Sequence, residues 1–105
     1  MRVCFLLKIR EEKVKEYKKK HTQVWPEMQE ALRATGWRNY SLFLKPDGLL
    51  IGYLETDDFE KSCAEMKNYP VNARWQATTI PFFEAISKGA ADDNMFPLEE
   101  VFHLD

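Results

Sequence analysis

The stretch WRNYSLFLKPDGLLIGYLE, residues 37–55, constrains the fold of this 105-residue chain more than any other. Two runs rich in aromatic and aliphatic residues, 37–44 and 49–55, flank the four residues KPDG. Proline presets φ at the first corner of a turn, and aspartate and glycine suit its second corner and its exit, so the segment reads as a β-hairpin. Strict alternation along its first strand puts Arg38, Tyr40, Leu42 and Leu44 on one face and Trp37, Asn39, Ser41 and Phe43 on the other.

The hairpin is preceded by a strand and a long helical pattern. Residues 3–9, VCFLLKI, alternate with Val3, Phe5, Leu7 and Ile9 on one face. Glu11 and Glu12 favour a helix start through the dipole. A stripe of Val14, Tyr17, His21, Val24/Trp25, Met28 and Leu32 then runs to about residue 34. Pro26 cannot donate to the carbonyl of Thr22, which predicts a kink or restart near Trp25, and Gly36 suits a left-handed cap.

A second helical region follows the hairpin. Thr56, Asp57 or Asp58 caps a helix with the stripe Phe59, Cys63, Met66. Pro70 opens another segment carrying Val71, Trp75, Thr78/Thr79, Phe82, Phe83 and Ile86, which Pro81 should bend or split. Residues 87–97 read as a loop, and LEEVFHL at 98–104 as a last strand. The order β-α-β-β-α-(α)-β predicts an α+β class: one ferredoxin-like, split βαβ domain over residues 1–105, with a four-stranded antiparallel sheet and helices on one face. Strand positions are largely apolar on both faces, so a homodimer covering the open face is expected.

Composition narrows the function. Net charge is −2, and Lys18–Lys20 sit among Glu11, Glu12, Glu16 and Glu27, so no basic face for nucleic acid is expected. The absence of a signal pattern and of a spanning apolar run predicts a cytoplasmic protein without membrane partners. Cys4 and Cys63 read as small buried hydrophobes. His21 and His103 form neither HxH nor HExxH, so no metal site is predicted, and no glycine-rich cofactor motif is present.

Within EYKKKHTQVWPEM, residues 16–28, Tyr17, His21 and Trp25 recur one turn apart. An imidazole titrating near pH ~6.5 is the default acid–base group at neutral pH. Beside a tyrosine hydroxyl and an indole face, it forms one wall of a site for a small polyhydroxylated ligand; an aromatic stripe at helical spacing equally serves a core. Tyr40 and Trp75 are candidates to complete a pocket, with Arg74 and Gln76 flanking Trp75. Arg74 reads more naturally as a surface residue, and alternation does not decide where His103 faces.

The Tyr-x₃-His-x₃-Trp-Pro-Glu element, with NYSLFL, LLIGYLE, Arg74-Trp75 and LEEVFHL, resembles the L-rhamnose mutarotase family over nearly the whole chain. The resemblance implies a dimeric α/β-barrel that interconverts the α and β anomers of a sugar, without cofactor. It implies His21 as proton donor at the ring oxygen, and Tyr17, Tyr40 and Trp75 as sugar contacts. Where the family carries a second Trp, this chain has Gln76, which places an amide at the sugar's edge and opens related 6-deoxyhexoses or aldohexoses as substrates. Other dimeric α/β-barrels imply two alternatives, a cofactor-free or haem-degrading monooxygenase and a non-catalytic sugar-binding module.

Overall fold

A computed structural model describes residues 1–84 and 94–105 of the chain. Its elements are β1 (Arg2–Lys8), α1 (Val14–His21), α2 (Pro26–Ala34), β2 (Arg38–Leu44), β3 (Leu49–Glu55), α3 (Phe59–Met66) and α4 (Pro70–Thr79). Short 3₁₀ turns at Glu11–Lys13 and Ile80–Phe82 lead into α1 and out of α4. The class is α+β. β3 lies between β1 and β2 and is antiparallel to both, so β1 and β2 run parallel across it, as the split βαβ order requires.

The sheet buries one face. Val3, Phe5, Leu7 and Ile9 face inward as their alternation predicts, opposite Leu50 and Leu54 of β3. Gly52 pairs with Phe5, and a methyl group on Gly52 would lie 2.2 Å from the Phe5 ring. That ring is fully buried, so neither it nor the strand backbone has room to withdraw. Gly52→Ala is therefore expected to lower stability by about 1–3 kcal/mol, read as a shifted denaturant midpoint; an unchanged midpoint would show that the ring repacks freely.

Pro26 does what its missing N–H predicts. The helix stops at His21, the chain extends at Trp25 (ψ 133°), and α2 begins on Pro26. Asp58, one of three cap candidates, is the N-cap of α3, its carboxylate accepting from the Lys61 amide at 3.1 Å. At the end of α2, Gly36 has φ 88°; its amide bonds the carbonyl of Arg33 and that of Trp37 bonds the carbonyl of Leu32. This is a Schellman closure, and the left-handed residue it needs is the glycine read from the sequence.

Three expectations about helices and strands need correction. On α2 the buried positions are Met28 and Ala31, with Leu32 only half-buried. On β2 the alternation is broken: the register steps by one residue between Arg38 and Ser41, and Asn39 adopts φ 48°. This bulge turns Trp37 to the same side as Tyr40, so Trp37 is 6 % exposed with its ring 4.9 Å from that of Tyr40. Last, residues 98–104 do not form a strand, and the sheet has three strands among the described residues.

The tail nevertheless follows the free edge of β1. The Leu98 amide donates to the Cys4 carbonyl at 2.7 Å, and two residues on, Glu100 pairs with Arg2 at 2.7 Å. Val101, Phe102 and Leu104 stand exposed beyond it. Cys4 and Cys63 are half-buried rather than buried. Ile86 and most of the 87–97 loop lie outside the described residues.

Candidate active site

Between the inner face of the sheet and the helices lies a cavity of about 480 Å³, of the size small-molecule sites occupy. Tyr17 and His21 of α1, Tyr40 of β2, and Trp75 and Gln76 of α4 all line it. These five candidates thus converge on one space, whereas Trp25, also expected in its wall, does not line it. Trp37, Asn72, Cys63, Met66 and Met95 line it as well. A smaller recess of about 210 Å³ shares Tyr17 and His21.

His21 is held on three sides. Its Nδ1 lies 2.9 Å from the carbonyl of Tyr17, one turn earlier. A carbonyl only accepts, so Nδ1 carries the proton and Nε2 keeps its lone pair in the neutral ring. The imidazole stacks on Tyr17 with centroids 4.1 Å apart and meets the edge of Trp75 at 5.4 Å. Trp75 in turn packs on Trp25 at 5.1 Å, and the Lys20 ammonium sits 4.3 Å from the Trp75 ring centre.

These surroundings set the proton affinities. Burial lowers the pKa of His21; the bond to the Tyr17 carbonyl works against this and the charge of Lys20 works with it. The neutral imidazole therefore predominates at neutral pH. Burial raises both Tyr17 and Tyr40 well above the usual phenol range, so both hydroxyls stay protonated and are hydrogen-bond donors. Gln76 donates from Nε2 to Asn72 Oδ1 at 3.2 Å.

Two further candidates fall elsewhere. Arg74 is on the surface, paired with Glu27 at 3.2 Å, where it ties α4 to α2. His103 is exposed near the chain end, 2.7 Å from Asp105 and away from the cavity. Trp37 is the cavity residue the alternation misplaced, and Asn39, a residue tolerant of positive φ, is the signal that announces the bulge. Among the described residues, no group of three histidines, cysteines and carboxylates stands close enough to hold a metal, and no helix is long and apolar enough to cross a membrane.

An α+β sheet with an aromatic cavity, one tethered imidazole and un-ionised phenols defines a class of small-ligand protein equipped for acid–base chemistry. The comparisons make it particular. The family model for L-rhamnose mutarotase matches residues 2–104, and the chain belongs to that family. It is 38% identical over 108 residues to an L-rhamnose mutarotase of Bacillus subtilis, covering 99% of this chain and 98% of the relative. A second, from Oceanobacillus iheyensis, is 36% identical over 104 residues, covering 96% and 95%. The crystal structure of an L-rhamnose mutarotase from Formosa agariphila shares the fold, with TM-score 0.77 over 100% of this chain and 99% of that one at 24% identity.

Proposed function

We propose that this chain, as a single ferredoxin-like domain in the cytoplasm, interconverts the α and β anomers of L-rhamnose, with His21 as its acid–base group. The observation that carries the reading is the His21 tether: Nδ1–H is spent on the Tyr17 carbonyl, leaving Nε2 for a ligand in the cavity. In a pyranose, the anomeric hydroxyl and the ring oxygen share one carbon, so a single ring nitrogen reaches both. Neutral Nε2 takes the proton of the anomeric hydroxyl and returns it to the ring oxygen as the C1–O5 bond breaks. The products are an aldehyde at C1 and a hydroxyl at C5. Rotation about C1–C2 and the reverse transfers close the ring on the other face.

Tyr17 and Tyr40, kept protonated by burial, donate hydrogen bonds to sugar oxygens. Trp75 offers a flat apolar wall to the C–H face of the ring, and Gln76 a polar edge. The tethered imidazole favours this reading over a binding module, which would have no use for it. Saturation-transfer NMR on the anomeric protons of L-rhamnose tests the proposal. Exchange well above the spontaneous rate is expected, and exchange at the spontaneous rate overturns it.

A homodimer completes the proposal. On the open face of the sheet, Leu6, Ile51 and Phe43 stand in one cross-strand row, with Leu6 43% and Phe43 58% exposed. A second copy seated there would bury the row and give the exposed tail residues Val101, Phe102 and Leu104 a surface to order against as the fourth strand. Light scattering at micromolar concentration should read two chains for the parent and one for Phe43→Asp. A monomeric parent would count against the dimer.

A further inference from the structure

Two residues that line the cavity each carry a buried polar atom with no protein partner among the described residues: Trp37 Nε1 and Gln76 Oε1. A buried, unpaired donor or acceptor is costly and uncommon, and an indole N–H in a core usually finds an acceptor. Here one atom is a donor, the other an acceptor, and both residues line the same space as His21. We infer that Trp37 Nε1–H donates to one non-anomeric hydroxyl of the substrate and that Gln76 Oε1 accepts from another, the two together setting which sugars fit. This rests on the sugar-binding reading above and adds Trp37 to its recognition groups.

Both groups are held in place. The Trp37 ring is fixed between Tyr40 at 4.9 Å and Phe59 at 5.8 Å, and its backbone is fixed by the Schellman bond to Leu32 and by the bulge that follows. Gln76 is oriented from one turn earlier, where the Asn72 side-chain oxygen takes a proton of its amide. That bond uses the donor end of Gln76 and leaves its acceptor end without a partner among the described residues. Asn72 is thus a positioning residue, acting through Gln76. A hydroxyl can give one bond and receive another, so a polyol satisfies both orphaned atoms where an apolar ligand would leave them unpaired.

The test is a binding matrix. Affinities for L-rhamnose and its 2-, 3- and 4-deoxy analogues are measured calorimetrically for the parent, Trp37→Phe and Gln76→Met, with melting temperatures alongside. Each variant should bind L-rhamnose about tenfold more weakly. For each variant, one deoxy analogue, a different one in the two cases, should bind parent and variant alike, because the lost bond was to the missing hydroxyl. Asn72→Ala should weaken binding in the parent but add little in the Gln76→Met background. A Trp37→Phe loss that is uniform across all four sugars, or absent, assigns the indole to packing alone and overturns the inference, whatever the melting temperature does. A parent that exchanges L-rhamnose anomers yet shows no such coupling overturns this inference alone, whereas a parent that binds none of the four sugars overturns the functional reading with it.

Discussion

His21→Ala should slow anomer exchange about 10²- to 10⁴-fold, the range a positioned acid–base group contributes, while the fold survives. The side chain is half-buried, and its hydrogen bond goes to the backbone carbonyl of Tyr17 within the same helix, so among the described residues truncation orphans no distant group. Circular dichroism and the melting profile should stay near those of the parent. The pH profile carries the sharper signature. Burial holds the imidazole below its ordinary pKa, so kcat/KM should be flat at neutral pH. It should fall as the pH drops through a midpoint below ~6.5, where protonation removes the base. The sign distinguishes the roles: were the imidazolium the working form in the free enzyme, activity would rise on acidification through that midpoint. Exchange at the parent rate in the alanine variant would remove His21 from the chemistry.

Where local chemistry decides conformation, the sequence sufficed. KPDG turned where its proline and glycine require, Pro26 divided the first helix, and Gly36 closed the second as a left-handed cap. Tyr17, His21, Tyr40, Trp75 and Gln76 met in one cavity because helical and strand periods project them from three elements toward the same side of the sheet. Trp37 was misplaced for a definite reason. A period of two is right only until a bulge inserts a residue, and one such step moves everything beyond it to the other face. The closing segment misled in the opposite direction. Its alternation is that of a strand, but a strand needs a partner for its ladder and cover for its apolar face, and Val101, Phe102 and Leu104 have neither among the described residues. Alternation reports what a segment would do once covered, not what covers it.

Trp75→Ala should damage both stability and function, because the indole belongs to core and site at once. It is 6 % exposed and bridges α1, α2 and the cavity through His21, Trp25 and Lys20. Truncating a buried Trp costs about 3–5 kcal/mol. Set against a total stability of roughly 5–15 kcal/mol, that should lower the melting temperature by about 15 °C or more. Trp75→Phe separates the two roles. A smaller ring keeps part of the packing and leaves the fold populated, but it withdraws an apolar edge from His21 and admits water beside the imidazole. Desolvation is the largest cause of the lowered His21 pKa, so relieving it should move the acid midpoint of kcat/KM upward, toward the ordinary value. The same change removes part of the flat wall proposed for the sugar and should weaken its binding. An alanine variant that melts with the parent would show that the ring is not part of the core. A phenylalanine variant with an unmoved midpoint would show that Trp75 does not set the proton affinity of His21.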